Sequence, residues 1–354
     1  MTTTLPYAHG GPLGRALMRS RPEDFAVSEQ LGFPLTGSGE HLFLRVRKRG
    51  WTTEAVGGLI ARACGVSRGA VSYGGMKDKW AVTEQWFSVH LPGRTDDLSE
   101  GELAPDVFIV QALRHNKKLR RGVQSGNAFV LRLREVEATP RVVGERLAAI
   151  VRYGVPNYFG EQRFGRDGDN VERARSMLAG EWRPRDRSLR GILLSSARSH
   201  LFNAVLAARI EDGSWDKALP GELVMLDGRH SLFPAESDDP AIPARLRALT
   251  LHPTGPLAGR GEPRPTGDVL ALESRVLEPH AELVAGLESA GLDAARRALR
   301  LRVADLAWNF PEPGCLELNF ALTSGSYATA VVRELFEVEE PGRPERPVTS
   351  SSST

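Results

Sequence analysis

Segments in which apolar and polar side chains alternate are concentrated in the first 140 residues and return near the end of the chain. This distribution constrains the fold more than any other feature, because strict alternation is typical of a strand with one buried face. The longest such segments are 41–47, 127–134 and 315–321. Shorter strands are predicted at 25–27, 70–73, 83–89 and 108–113.

Helices are predicted at 53–64, 139–154 and 327–336, where cap or turn residues precede apolar residues at helical spacing. The region from about 155 to 300 differs in character. Ser195 is predicted to cap a helix, the Pro- and Gly-rich segment 237–268 predicts a long loop, and 282–301 predicts another helix. The order of elements predicts an α+β fold interrupted by a mostly helical insertion.

Bulk composition is that of a globular protein, with 41% hydrophobic and 25% charged residues. The net charge is only +2, so any surface for nucleic acid must be local. Two cysteines, an N-terminal segment without an apolar core and the lack of long apolar runs predict a cytoplasmic protein with no membrane span. The segment 340–354 has almost nothing to bury, so we expect it to be disordered.

The segment 74–89, GGMKDKWAVTEQWFSV, places one carboxylate, Asp78, between Lys77 and Lys79. Flanking cations favour the ionised carboxylate. Two glycines precede the motif and a predicted strand lies on either side, so Asp78 is expected on a loop that presents it outward. A salt-bridged surface turn is the alternative interpretation of this segment.

Five of the eight residues from Arg114 to Arg121 are Lys or Arg. This density favours a segment that contacts phosphates, and the alternative is a solvated loop. The candidate contacts are Lys117, Lys118, Arg120 and Arg121.

Two further segments combine polar and aromatic residues. Asn127 and Phe129 lie two residues apart and would share a strand face, where Phe129 could stack on a base or simply belong to the core. The segment 156–165, PNYFGEQRFG, predicts either a packed junction or a polar pocket that includes Arg163. The sequence lacks HExxH, GxxxxGK[ST], GxGxxG and GxSxG, which leaves cofactor-free chemistry by one activated carboxylate.

Taken together, six segments resemble the TruD-type tRNA pseudouridine synthases, and they occur in order over nearly the whole chain. They are RPEDFAVSE (21–29), GMKDKWAVTEQWFSV (75–89), GNAFVLRLREV (126–136), VPNYFGEQRFG (155–165), LSSARSHLFN (194–203) and SGSYATAVVREL (324–335). The resemblance implies isomerisation of uridine 13 of tRNA to pseudouridine without a cofactor. It implies a partner tRNA and no protein partner.

The resemblance also implies site residues. The family's catalytic aspartate falls on Asp78, and its other active-site positions fall on Phe25, Asn127 and Phe129. A family lysine falls on Arg19, where this chain departs from the pattern; arginine keeps the charge but has a planar fork. RNA contacts are expected from the basic residues named above, including Lys77, Lys79 and Arg163.

The implied domain organisation is a pseudouridine-synthase catalytic domain at 1–154 and 303–339, an inserted TruD-specific domain at 155–302 and a tail at 340–354. Two other interpretations stay open. One is a non-catalytic RNA-binding or RNA-folding protein on the same scaffold, which would not need Asp78. The other is a carboxylate-dependent hydrolase of a small molecule, which would not need the basic segment.

Overall fold

The computed structural model describes residues 5–165, 168–236, 239–261 and 265–341. Compactness divides the chain into two units, each of which combines helices and strands. Among the described residues, the sheet unit comprises Gly14–Pro140, Asp305–Ser324 and 337–341. The helix-rich unit comprises the residues up to Leu13, Arg141–Ala304 and Gly325–Phe336.

Eleven strands within the described ranges form one sheet in the sheet unit. They are β1 (Arg15–Met18), β2 (Phe25–Leu31), β3 (His41–Arg49), β4 (Val71–Tyr73), β5 (Val82–His90), β6 (Gly101–Ala104), β7 (Val107–His115), β8 (Gln124–Arg134), β15 (Ala304–Glu312), β16 (Cys315–Thr323) and β17 (Glu337–Glu339). The central order is β15-β16-β8-β2-β5-β3-β7-β6. The sheet is mixed, because β2 pairs with β5 in parallel whereas β2 and β8 are antiparallel.

The register between β8 and β16 places two predicted site residues beside apolar residues of the neighbouring strand. Phe129 pairs with Phe320, and Asn127 pairs with Leu322. A Cβ atom on Gly126 would lie 2.3 Å from the carbonyl oxygen of Leu322. Only glycine therefore allows the two strands to approach so closely at this end.

Helix α1 (Thr53–Ala63) packs on the sheet through an apolar stripe. Thr52 caps the helix, because its Oγ1 accepts a hydrogen bond from the backbone N–H of Ala55 at 3.2 Å. Val56 and Ile60 are fully buried against the inward residues of β3 and β5. Burial of such side chains stabilises the fold by about 1.5–3 kcal/mol each.

The helix-rich unit contains seven helices and six short strands within the described residues. The helices are α2 (Pro140–Tyr153), α3 (Asn170–Leu178), α4 (Arg187–Glu211), α5 (Ala241–Arg247), α6 (Gly267–Leu277), α7 (Ala281–Ser289) and α8 (Ala328–Arg333). The strands are β9 (Val155–Pro156), β10 (Leu223–Leu226), β11 (Leu232–Pro234), β12 (Leu251–Leu257), β13 (Ala295–Ala298) and β14 (Arg300–Leu301). β11-β10-β12-β13 form one sheet, and β14-β9 form a two-stranded ladder.

Helix α4 begins earlier than the sequence predicts. Asp186 is its N-cap and accepts a hydrogen bond from the backbone N–H of Ser188 at 2.7 Å. Ser195 lies in the interior of the helix, so its prediction as a cap was wrong. Residues 187–192 are mostly exposed, and the helical spacing of Leu189, Ile192 and Leu193 is a signal that the sequence analysis missed.

The prediction of one long loop at 237–268 was also wrong, because this range contains α5, β12 and the start of α6. Pro253 and Pro256 lie within β12, where Pro253 accepts a hydrogen bond from Leu299 N at 2.8 Å. The helix predicted at 282–301 ends at Ser289. Gly291 adopts a φ of 86°, and the alanines that follow pair with β12 as β13.

The predicted α+β class is confirmed, with a mixed sheet and several helices. The domain boundaries expected near 154 and 302 stay a prediction. The end of the expected tail, from 342 onward, lies outside the described residues. Within the described ranges, no helix is both long and apolar enough to cross a membrane.

Candidate active site

Asp78 lies on the loop between β4 and β5, where the sequence predicts it. Buried polar side chains hold this loop. Gln85 Nε2 donates to the carbonyl of Gly75 at 2.8 Å, and Thr53 Oγ1 accepts from the backbone N–H of Lys77 at 2.9 Å. Thr53 also donates to Gln85 Oε1 at 2.8 Å. The loop is therefore attached both to β5 and to the start of α1.

The two oxygens of the Asp78 carboxylate have different environments. Oδ1 accepts a hydrogen bond from the backbone N–H of Trp80 at 3.0 Å, which fixes the carboxylate to its own turn. Oδ2 lies 3.7 Å from Nη1 of Arg19. The side chain is 27% exposed, so the carboxylate faces a cation and still has access to solvent.

The lysines beside Asp78 do not hold its carboxylate. Lys77 Nζ donates to Glu29 Oε1 at 2.8 Å, and Lys79 Nζ lies 5.5 Å from the ring centroid of Trp80. The expectation that Asp78 is wedged between these two cations was wrong, because neighbouring side chains in an extended segment point in different directions. Arg19, distant in sequence, supplies the cation.

Arg19 has an unusual backbone conformation. Its φ is 59°, in the left-handed region, which costs on the order of 1–3 kcal/mol for a residue other than glycine. The guanidinium carbon lies 4.0 Å from the ring centroid of Phe25, and Nη1 also lies 3.2 Å from Oε1 of Glu340. Arg19 thus connects two carboxylates and stacks on an aromatic ring, which a lysine could not do with the same planar geometry.

Lys48 is a residue of this site that the sequence analysis missed. It is 1% exposed, and its Nζ donates to the carbonyl of Asp78 at 2.9 Å and to the carbonyl of Trp51 at 2.8 Å. The signal was present in the sequence. Lys48 continues the alternating series Leu42, Leu44, Val46, so the pattern places a cation on the buried face of β3.

Burial shifts the titration of this lysine. It lowers the pKa of the Lys48 ammonium to about 8, although the charge of Asp78 opposes the shift. Because both of its acceptors are neutral carbonyl groups, Lys48 acts on the backbone of the Asp78 loop. It fixes the position from which the carboxylate is presented.

Phe25 and Phe129 lie together on the same face of the sheet. Their ring centroids are 6.3 Å apart in an edge-to-face arrangement, and Phe129 stacks on Phe320 at 5.3 Å. Phe129 is only 7% exposed, so it contributes to the core whatever it does for a substrate. Asn127 Oδ1 is buried and has no hydrogen-bond partner among the described residues, which leaves an acceptor available to a ligand.

The basic segment forms a loop of residues 116–123 between β7 and β8. Leu119 is 2% exposed and its backbone N–H donates to Ser88 Oγ at 3.1 Å, which anchors the loop. The four neighbouring cations are exposed: Lys117, Lys118, Arg120 and Arg121. Gly122 N donates to the carbonyl of Gly74 at 3.3 Å, so this loop touches the loop that carries Asp78.

Arg114, which begins the basic segment in the sequence, has a structural role. Its guanidinium forms a two-pronged ion pair with Asp97 and donates to the carbonyl of Arg94 at 2.8 Å. It is therefore not part of the exposed cationic surface. The 17-residue separation between Arg114 and Asp97 hides this pairing from the sequence pattern.

Arg163 lies in the helix-rich unit. Its Nη1 donates to Ser195 Oγ at 3.0 Å and its Nη2 to the hydroxyl of Tyr327 at 2.7 Å. Asn157, from the same predicted segment, donates to the carbonyl of Ala298 at 2.8 Å. The segment 156–165 thus combines packing and polar contacts, and the two interpretations of its sequence stay predictions.

The arrangement around Asp78 can present one oriented carboxylate to a reacting group. A positioned carboxylate acts as a nucleophile or as a general base when it is within reach of the reacting atom. Among the residues that the structure describes, no group of three or more His, Cys, Asp or Glu side chains is arranged to hold a metal ion.

Comparison with known proteins defines the class of this fold and site. The family model for tRNA pseudouridine synthase D (TruD) matches residues 6–184 and 183–335. The chain therefore belongs to the TruD family. The expected family is confirmed.

The relatives are similar over nearly their whole length. A tRNA pseudouridine synthase D of Ectopseudomonas mendocina is 48% identical over 97% of this chain and 97% of its own. One from Aeromonas hydrophila is 48% identical over 96% of each chain. A crystal structure assigned to TruD from Methanosarcina mazei shares the fold, with a TM-score of 0.69 and 20% identity over 94% of this chain and 95% of its own.

Proposed function

We propose that this protein is a tRNA pseudouridine synthase that isomerises uridine 13 of tRNA, with Asp78 as the essential carboxylate and no cofactor. Membership of the TruD family and the 48% identity to named tRNA pseudouridine synthases D support the reaction class. The single observation that carries the assignment of the residue is the Asp78 carboxylate itself. It is accessible, oriented by Trp80 N and faced by the Arg19 guanidinium.

The reaction requires little from the protein beyond positioning and one reactive group. The bond from ribose C1′ to uracil N1 breaks, the base turns, and a bond from C1′ to C5 forms. C5 loses its proton and N1 gains one, so the product has the same atoms as the substrate. A nucleophile or base is needed to begin these steps, and Asp78 is the proposed group.

The target base must leave its stack to reach Asp78, which costs a few kcal/mol. Contacts to the base and to the phosphates offset this cost. Phe25 and Phe129 are the proposed apolar surface for the uracil, and the unpaired Asn127 Oδ1 is a proposed acceptor for a uracil N–H. The exposed loop 116–123 is the proposed contact to the RNA backbone.

The position of the modified uridine tests this proposal. A tRNA transcript with U13 and a matched transcript with C13 are incubated with the protein in buffer that contains a chelator and no added cofactor. Pseudouridine is then mapped by chemical labelling and primer extension. We expect modification at position 13 of the first transcript and none in the second. Modification elsewhere, or none without an added metal or cofactor, would contradict the proposal.

A further inference from the structure

Two arginines of the helix-rich unit that contact one aromatic ring lack an acidic partner among the described residues. Arg163 lies in the short 3-10 helix Glu161–Phe164, and Arg297 lies on β13. Neither forms an ion pair with a carboxylate in the part of the chain that the structure describes. In the same unit Arg209 pairs with a glutamate at 2.9 Å and Arg296 with another at 2.5 Å, whereas the buried Arg300 also donates only to neutral acceptors.

The partners of the two unpaired arginines are neutral oxygens. Arg163 donates to Ser195 Oγ and to the hydroxyl of Tyr327. Arg297 Nη2 donates to Asn157 Oδ1 and, at 3.3 Å, to the carbonyl of Gly325. Hydrogen bonds of this kind satisfy N–H groups but do not neutralise a charge.

Both guanidinium groups lie against the same aromatic ring. The guanidinium carbon of Arg297 lies 4.2 Å, and that of Arg163 5.4 Å, from the ring centroid of Phe159. Burial lowers the pKa of Arg297 to about 10, and the charge of Arg163 adds to this shift. One aromatic ring offers each cation only about 0.5–2 kcal/mol, which leaves the repulsion largely unrelieved.

Donor groups also remain unused. Arg163 Nε is buried without a hydrogen-bond partner, and Arg297 Nη1 makes no hydrogen bond within the described ranges. Each guanidinium carries five N–H groups in a planar fork that matches the oxygens of a phosphate. The cluster thus combines excess positive charge with unsatisfied donors.

We propose that Arg163 and Arg297 bind one phosphodiester group of the RNA backbone, with Ser195 and Tyr327 holding the fork of Arg163 in place. The inference rests on the proposed tRNA-modifying function, which supplies the phosphodiester. A bound phosphodiester carries one negative charge, which offsets one of the two positive charges, and its oxygens accept the unused N–H groups.

The salt dependence of tRNA binding tests the site. Affinity for an unmodified tRNA transcript is measured between 50 and 200 mM KCl for the wild-type protein, Arg163→Gln and the control Arg247→Gln, which alters an exposed arginine of the same unit. Each phosphate contact contributes a slope of about 0.7–0.9 to the dependence of log K on log salt. We expect Arg163→Gln to lose about that much slope and to bind tRNA roughly 3- to 10-fold more weakly, whereas Arg247→Gln keeps the wild-type slope. A wild-type slope and affinity for Arg163→Gln would overturn the proposal.

Arg163→Lys covers the case in which the glutamine variant fails to fold. Lysine keeps the charge but loses the fork, so we expect tRNA affinity to fall about threefold while the salt slope is retained. Affinity equal to that of the wild-type protein would contradict the site. Pseudouridine formation by the wild-type protein is measured in parallel. If the wild-type protein forms pseudouridine but Arg163→Gln keeps the wild-type salt slope, this inference alone is refuted. If Arg163→Gln loses the slope but the wild-type protein forms no pseudouridine, only the proposed reaction is refuted.

Discussion

Arg19 in the sheet unit and the Arg163–Arg297 pair in the helix-rich unit are all largely withdrawn from solvent, but their charges are compensated differently. Arg19 faces two carboxylates of the protein, Asp78 and Glu340. Arg163 and Arg297 face neutral oxygens and the ring of Phe159. The difference indicates that the first cation organises a reactive group of the protein, whereas the second pair awaits an anion from outside.

A comparison with Lys48 explains why the lack of a carboxylate partner matters more for an arginine than for a lysine. Like the arginine pair, it donates only to neutral oxygens. A lysine in that position can lose its proton, and burial lowers the pKa of Lys48 to about 8. An arginine stays charged at all relevant pH values. The paired arginines therefore need a counterion in a way that Lys48 does not.

Among the variants that this comparison suggests, removal of the Arg19 side chain is expected to reduce turnover most. In Arg19→Met, Asp78 loses its cation, and loss of a charged partner costs about 2–3 kcal/mol, equivalent to roughly 100-fold in turnover. The salt slope of tRNA binding is expected to stay at the wild-type value. Single-turnover kinetics and binding measured on the same preparation check both expectations.

Arg19→Lys is the matched variant for this test, because it keeps the charge and restores the residue type that the family resemblance implies. We expect turnover within about tenfold of wild type, since only the planar fork is lost. If methionine and lysine variants were equally impaired, the stacking of Arg19 on Phe25 would be the important contact and the ion pair would not.

Lys48→Met is expected to reduce turnover about tenfold. It leaves the carbonyls of Asp78 and Trp51 without their donor, at a cost of about 1–3 kcal/mol. Part of this cost appears as lower stability and part as a displaced Asp78 loop. A fall in melting temperature with unchanged turnover of the folded protein would contradict a positioning role.

The stability of the wild-type protein should also depend on pH through Lys48. Its pKa is about 8 in the folded chain, against an ordinary value of 10.5. The unfolded chain therefore binds more protons between these values, and the free energy of unfolding gains a rising contribution from pH 8 to 10.5. Urea denaturation of wild type and Lys48→Met across this range measures it. Parallel curves for the two proteins would show that Lys48 does not titrate as stated.

Substitutions in the exposed loop 116–123 are expected to have a smaller effect on turnover but a clear effect on tRNA binding. Replacement of Lys117, Lys118, Arg120 and Arg121 by glutamine should flatten the salt dependence of tRNA binding by one or more phosphate contacts and weaken affinity about tenfold. Arg114→Gln is the control, because its loss breaks the ion pair with Asp97 and should lower stability without changing the slope. An unchanged slope in the fourfold variant would place the RNA contacts elsewhere.

Phe129→Leu is expected to have the smallest effect, about threefold on turnover with tRNA affinity nearly unchanged. Leucine preserves most of the packing against Phe320 but removes the aromatic face. Steady-state and binding measurements separate the two effects. An equal loss of turnover and affinity would favour a purely structural role for Phe129.

The strands around the site could be predicted from the sequence because their alternation is local. The segments 41–47, 127–134 and 315–321 lie within β3, β8 and β16. The helix predicted at 282–301 failed because intrinsic helix preference, although strong for alanine, determines structure only weakly, and pairing of β13 with β12 outweighed it. Local propensity could not reveal a strand whose partner lies some 40 residues earlier in the chain.

The site residues also divide into those that a local sequence pattern predicted and those that it did not. Asp78 and its loop were predicted, because two strands and two glycines frame them in one continuous segment. The ion-pair partners of Lys77 and Arg114 were not predicted, because Glu29 and Asp97 lie in other parts of the chain. Lys48 and Glu29 were missed although each continues an alternating apolar face, which is a local signal for a buried charge.

Release of the C5 hydrogen tests the central claim most directly, because the new bond from C1′ to C5 cannot form unless that hydrogen leaves. A tRNA transcript labelled with tritium at C5 of uridine is incubated with wild-type protein, Asp78→Asn and the control Asp305→Asn, which alters an exposed aspartate of the sheet unit. We predict release equivalent to one uridine per tRNA by the wild-type protein and by Asp305→Asn, and none by Asp78→Asn, which still binds tRNA with near wild-type affinity. Undiminished release by Asp78→Asn, or no release by the wild-type protein, would contradict the account.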